Sequence, residues 1–184
     1  MIVIGLVGPL SAGKGRVSEY IVNKYGASRH GFSDSLRDAM DRLQIEKNRV
    51  NFQDLSTFLR QRFGEDLLAK AMAKDIREDN HEYIVVEGIR READIAYLKE
   101  IPNFHLVAID ADIKLRYERL VKRSQNTDDD NKTFEEFVED HKREADASVP
   151  ILMTKAEFQI DNNGSEEDLD KQINSIIEKI KQYE

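Results

Sequence analysis

Eight residues near the start of the chain, Gly8-Pro-Leu-Ser-Ala-Gly-Lys14-Gly15, have the types and spacing needed to hold a row of phosphates. Glycines let the backbone approach phosphate oxygens, successive N–H groups turn inward at a helix N-terminus, and Lys14 sets a cation against the β- and γ-phosphates. Gly8, Ser11, Ala12, Gly13, Lys14, Gly15 and Arg16 are therefore the expected phosphate contacts of a bound ATP. The usual pattern ends in serine or threonine, whose hydroxyl holds Mg2+; here Gly15 stands in that place. The metal would then rest on phosphate oxygens, water and a carboxylate elsewhere, which suits magnesium's largely aqueous shell. A chance match of two glycines and a lysine at this spacing arises with a probability of roughly 5% in such a composition. A preceding buried strand and a following helix make chance several-fold rarer.

Two other sets of residues could do chemistry. Glu87 follows four apolar residues, Tyr83 to Val86, at what reads as the end of a buried strand, a place from which a carboxylate can reach magnesium through water. Arg116, Arg119 and Arg123 share one helix face, and arginine forks neutralise charge on a phosphoryl group in flight. Arg119 and Arg123 are expected to be functional; Arg116 is expected to lie on a solvated face and pair with a neighbour such as Glu118. Asp110 and Asp112 read as helix caps, and His141, on an apolar stripe, as a packed core residue. The run Asp128 to Asp130 lacks the alternating ligands and central glycine of a calcium loop.

Positioning such residues requires a frame, and the periodicity supplies one. Ile2 to Val7, Tyr83 to Val86 and Phe104 to Ile109 are short apolar runs of the kind buried on both faces of a parallel sheet. Briefer strands are predicted at His30 to Ser33 and Phe158 to Asp161. Helical spacing begins at Gly13 and stops at Gly26, with Val17 and Ile21 four apart. Leu36 to Leu43 form a helix that Ser33 or Ser35 could cap. Two further helices carry Phe52, Leu55 and Leu59, ending near Gly64, and Leu67 to Ile76. Ile95 and Leu98 suggest another, and Ile113, Tyr117 and Leu120 mark the one after Asp112. The polar segment Ser124 to Lys132 reads as a mobile loop. Thr133 with Glu136 forms a capping box ahead of Phe134, Phe137 and Val138, and Pro150 ends that region. Ser165 with Asp168 caps a final helix striped by Leu169, Ile173, Ile176, Ile177 and Ile180. The expected class is α/β: three layers, α/β/α, around a parallel sheet of about five strands. One domain over 1–184 is expected, with a substrate-binding helical insertion at 34–80 and a lid region at 124–147.

The bulk composition narrows the partners. With 184 residues, 40% hydrophobic and 35% charged, the chain is long enough for a core and dense in surface charge. Acids outnumber Lys and Arg, 36 to 28, and the net charge of −8 argues against nucleic acid or an anionic membrane as partner. There is no cysteine, hence no disulfide or thiolate zinc. No leader or membrane span is legible, and a cytoplasmic monomer or homodimer is the expectation.

These motifs, in this order, resemble the adenylate-kinase-like nucleoside monophosphate kinases, in which glycine commonly follows the loop lysine. The resemblance implies a P-loop kinase fold, ATP with Mg2+, and a nucleotide acceptor. Ser33-Asp34-Ser35-Leu36-Arg37 looks like the segment opening the monophosphate site, with Arg37 on the acceptor phosphate. Val85-Val86-Glu87-Gly88-Ile89-Arg90-Arg91 is similar to the family's strand, acid, glycine and arginine stretch. It implies that Glu87 orients metal-bound water and that Arg90 or Arg91 meets the acceptor. Arg119 and Arg123 match the catalytic pair at the lid entrance, with Asp128 and Arg143 in lid-like positions. Arg16 departs from the pattern, since that family carries a hydroxyl there.

A dephospho-coenzyme A kinase, with the same fold and a hydroxyl acceptor, is the alternative. Asp34 or Glu87 would be its base, and the helices from Phe52 to Ile76 favour it, whereas the arginine count favours a phosphate acceptor. Much of the chain also resembles the kinase-like half of certain deoxycytidylate deaminases, but without cysteine the deaminase zinc site cannot be present. A non-catalytic nucleotide-binding regulator is the reading from another class. Glycine after Glu87 disfavours mechanical ATPases, and the absence of an Asn-Lys-x-Asp motif disfavours GTPases.

Overall fold

A computed structural model describes residues 1–123, 133–140 and 148–182. Five strands, β1 (Ile2–Val7), β2 (Ser28–Gly31), β3 (Tyr83–Glu87), β4 (Phe104–Asp110) and β5 (Phe158–Asp161), form one sheet in the order β2-β3-β1-β4-β5. Every neighbouring pair is parallel. Parallel strands need helical crossovers, and those crossovers cover both faces. The strands show it residue by residue. Val3, Val7, Ile84, Val86, Leu106 and Ala108 enter one core, and Ile2, Ile4, Leu6, Val85, Val107 and Ile109 enter the other. All six residues of β1 are buried, so both of its faces lie inside, and each fully buried aliphatic side chain contributes about 1.5–3 kcal/mol.

One layer holds α1 (Lys14–Tyr25) and α9 (Glu166–Gln182), whose Val17, Ile21, Ile173 and Ile177 fill the second core. The opposite layer holds α2 (Asp34–Arg42), α3 (Arg49–Phe63), α4 (Leu67–Glu78), α5 (Glu92–Ile95), a 3-10 turn (Leu98–Glu100) and α8 (Val149–Met153). Between β4 and α8 come α6 (Ile113–Arg123) and α7 (Phe134–Asp140). Tyr117 docks α7 through an edge-on contact with Phe134 and a tilted one with Phe137, at 5.4 and 5.7 Å between ring centres. The predicted three-layer α/β/α class and its five parallel strands are what the chain forms. Among the described residues no helix is long and apolar enough to cross a membrane.

Local signals set most of the boundaries. Gly26 ends α1 in the left-handed region (φ 64°), and its N–H donates to Val22 O. Thr133 and Glu136 exchange backbone N–H bonds at 2.8 and 3.2 Å, as do Ser165 and Asp168 at 3.2 and 3.1 Å. Asp112 Oδ1 accepts the N–H of Lys114 at 2.8 Å and so caps α6. The second strand differs from the sequence expectation at both ends, and it begins at Ser28 rather than His30. The second strand ends at Gly31 rather than Ser33, because Asp34 Oδ2 takes the Gly31 N–H at 2.5 Å and turns the chain. Ser33 does stand at the N-cap of α2, without a side-chain capping bond.

Candidate functional site

Strands β1 and β3 are neighbours, yet β1 leads into α1 on one face and β3 into α5 on the other. A crevice therefore opens at their C-terminal ends, where parallel α/β sheets hold their ligands. The loop Gly8 to Gly13 leaves β1 on one side of it. Glu87 to Arg91 leave β3 on the other, with Val86 paired to Gly5.

Two of the loop's glycines are dictated by close contacts. A Cβ on Gly8 would lie 2.1 Å from Ile109 O, a strand carbonyl that cannot retreat. Gly13 has φ 107°, and a Cβ there would lie 2.1 Å from Asn162 Nδ2. Gly8→Ala is accordingly expected to cost about 3 kcal/mol through overpacking against backbone. For a chain of this size that lowers Tm by about 6–12 °C in a thermal melt; an unchanged Tm would show the contact to be relaxed. Gly15 is different in kind: a Cβ there meets nothing within 4 Å. As the second residue of α1 it weakens the helix relative to alanine by about 0.5–1 kcal/mol. Gly15→Ala should raise Tm by about 1–4 °C without nucleotide. Weaker ATP binding by the same variant would assign the space beside Gly15 to the ligand.

Lys14 opens α1 and folds back over the loop, its Nζ donating to Gly8 O at 2.7 Å and Pro9 O at 2.8 Å. Ser11 sits at φ 60°, uncommon for a residue with a side chain, and its Oγ is buried with no hydrogen-bond partner. Glu87 Oε1 and Arg119 Nη1 are buried and, among the described residues, unpartnered as well. Orphaned polar atoms are rare in folded chains, and three that belong to the loop, the facing strand end and α6 fit a polar ligand. A magnesium ion carried by that ligand fits the same residues in one way. No group of three acids or histidines able to hold a metal ion exists among the described residues, and Gly15 brings no hydroxyl, so Glu87 would meet it through water.

Across the crevice, Arg37 on α2 lies over the Phe52 ring of α3, 5.3 Å from its centre. Asp94 Oδ2 accepts the N–H groups of Arg90 at 3.0 Å and Arg91 at 2.9 Å. Its other oxygen accepts from Arg60 Nη2 at 2.9 Å, in an ion pair whose side chains are 7% and 2% exposed. This buried pair holds the Glu87 to Arg91 turn against α3. The Arg91 guanidinium is drawn to Glu65 at 3.1 Å, and Arg90 is exposed.

Three placements were not legible in the sequence. Arg16 turns away from the loop to Asp170 on α9 at 3.1 Å, with Glu166 at 3.6 Å, and lies over the Tyr20 ring. Its guanidinium is engaged there because that side of the first turn of α1 faces α9. Arg116, expected on a solvated face, is 7% exposed. Its Nε donates to Ala111 O at 3.0 Å and Nη1 to Leu10 O at 3.3 Å, and its guanidinium lies 5.9 Å from the centre of the Phe137 ring. Burial lowers its pKa, against the pull of Asp110 and Asp112. Asn162 was not singled out by any motif, yet it is 6% exposed and its Nδ2 donates to Ala12 O at 2.8 Å. Arg119 Nη2 in turn donates to Asn162 O at 3.0 Å, which brings Arg119 to the loop. The side chain of Arg123, and Asp128, His141 and Arg143, lie outside the described residues.

Fold and loop together define a P-loop protein of kinase-like architecture. The family described as AAA domain matches residues 7–137. A UPF0200 protein of Methanocaldococcus jannaschii is 32% identical over 182 residues, 98% of this chain and 91% of that one. The chain belongs to the AAA domain family and to the UPF0200 family. Among solved structures, a shikimate kinase from Bacteroides thetaiotaomicron matches with a TM-score of 0.63 at 13% identity, over 98% of each chain. A shikimate kinase from Acinetobacter baumannii in complex with shikimate matches at 0.59 and 13%, over 100% of this chain and 95% of that one. At such identities the likeness is one of fold.

Proposed function

We propose that the protein transfers the γ-phosphoryl group of ATP to a nucleotide, as a nucleoside or deoxynucleoside monophosphate kinase. What supports this reading is the supply of cationic side chains on the segments around the C-terminal ends of β1 and β3. Lys14 belongs to the loop and Arg119 is bonded to its neighbour Asn162, Arg37 stands on α2, Arg90 and Arg91 follow β3, and Glu87 Oε1, unpartnered among the described residues, stands at the end of β3. Phosphoryl transfer needs donor and acceptor in line and charge neutralised on the group between them, more than it needs covalent help. In this reading Ser11, Ala12, Gly13 and Gly15 surround the donor phosphates, and Lys14, Arg119 and Arg123 neutralise them. Asp34, Arg37 and Arg90 hold the acceptor, and Asp128 and Arg143 close the lid over 124–147. Magnesium, when bound with ATP, screens the phosphate charge, and Glu87 orients its water.

A hydroxyl acceptor, as in dephospho-coenzyme A, is a second reading. It is favoured by Asp34, whose carboxylate is anchored by the Gly31 N–H where an acceptor's proton could be taken, and by the fold shared with kinases of shikimate, a hydroxy acid.

The deciding assay incubates the protein with ATP, magnesium and one acceptor at a time: AMP, CMP, UMP, GMP, their deoxy forms and dephospho-coenzyme A. ADP release above background with a monophosphate is expected. Release with dephospho-coenzyme A alone transfers the assignment to the second reading. Release with none of them removes both.

A further inference from the structure

The P-loop is gripped from outside at the two carbonyls that flank its strained residue. Leu10 O is held by Arg116 Nη1 and Ala12 O by Asn162 Nδ2, and Ser11 lies between them at φ 60°. A left-handed residue with a Cβ costs about 1–2 kcal/mol and persists only where its surroundings impose it. Within the loop the fold-back is closed by one long backbone bond, Ala12 N to Pro9 O at 3.3 Å, and on its near side by Lys14 Nζ on Gly8 O and Pro9 O. The two outer side chains are themselves seated. Arg116 is tied to Ala111 O and lies over the Phe137 ring of α7, and Phe137 is fully buried. Asn162 is anchored by its own N–H on Asp110 O at 2.8 Å and by Arg119 on its carbonyl. The Asn162 amide also presses on Gly13, where no Cβ could be accommodated.

We propose that Arg116 and Asn162 are positioning residues that act as an outer clamp on the P-loop. By holding the carbonyls of Leu10 and Ala12 outward, they keep Ser11 left-handed and its N–H and Oγ directed into the phosphate site. Neither touches the ligand. A preformed anion cradle binds without the cost of ordering its own backbone, and that is what the clamp contributes. The proposal rests on the nucleotide-binding reading of the loop, and its test separates the two.

Arg116→Met and Asn162→Ala are each compared with the wild type, alone and combined with Ser11→Gly, because glycine adopts the left-handed conformation without help. Asn162→Ala removes no charge and guards against an Arg116→Met variant that fails to fold. The first readout is hydrogen exchange at the Leu10 to Gly13 amides without ligand, and the second is the affinity for ATP with magnesium. Either single variant is expected to speed exchange there and weaken ATP binding about tenfold, the effect of one lost hydrogen bond. In the Ser11→Gly background the same change should cost about threefold or less. Unchanged exchange at these amides overturns the clamp, as does a full tenfold loss in the glycine background. Faster exchange in variants of a wild type that binds no ATP supports the clamp and refutes the nucleotide reading instead.

Discussion

Lys14→Ala is expected to lower the rate of phosphoryl transfer, read as ADP release with the best acceptor, by at least about a hundredfold. Removing a charge aimed at the transferring group typically costs this much, because stabilisation by a fixed, partly buried cation carries no reorganisation penalty at the moment of reaction. The structure adds a second reason. Lys14 Nζ bridges Gly8 O and Pro9 O, so its stem and head also close the near side of the loop. Lys14→Arg should not restore activity. A planar fork of five donors cannot occupy the point between two carbonyls 2.7 and 2.8 Å away that an ammonium fills. The folded state should survive both changes, since the lysine is not part of either apolar core. Full activity in Lys14→Ala would show that the reacting phosphates lie elsewhere.

The second large effect falls on stability. Asp94→Ala is expected to cost about 3–5 kcal/mol, the usual consequence of leaving a buried charge without its partner. Arg60 would keep only its bond to Glu65 O, and the N–H groups of Arg90 and Arg91 would lose their acceptor. At about 2–4 °C per kcal/mol for this chain length, Tm falls by about 6–20 °C. Arg60→Met should cost about half as much, because Asp94 would retain two backbone donors while the methionine fills the space of the arginine stem. Equal losses from the two variants, measured by circular dichroism melts, would contradict this account of the pair. Because Asp94 fixes the turn bearing Arg90 and Arg91, its loss should also weaken acceptor binding at temperatures where the variant remains folded.

The first effect depends on residues within six of one another and the second on groups 34 apart, and that distance separates what could be read from the chain from what could not. The five strands, the stop at Gly26, the capping pairs Thr133-Glu136 and Ser165-Asp168, and the loop itself were legible in sequence. Each depends on an apolar period or on residues within seven of one another. The end of β2 was misplaced by two residues because the decisive bond, Asp34 to the Gly31 N–H, ties a side chain to backbone outside the apolar run. Arg116 and Arg16 show the larger limit. A helix face charged at one edge reads the same whether it meets water or another element, and only packing decides which. Arg116 is buried because α6 lies between the loop and α7, which brings Leu10 and Phe137 to it. Arg16 turns its guanidinium to Asp170 on α9, 154 residues onward. Asn162 was invisible for the same reason: its role exists only once β5 has joined the sheet beside β4, placing it 150 residues from Ala12 yet in hydrogen-bond contact.

The sequence by itself determined the phosphate-holding loop, the parallel α/β frame and the acid at the end of β3, because local sterics and hydrophobic period act over a few residues. Only the tertiary structure decided which arginines serve the loop, what clamps it and which ion pair holds the facing turn. Those are long-range contacts, and their partners meet only after the sheet order is set.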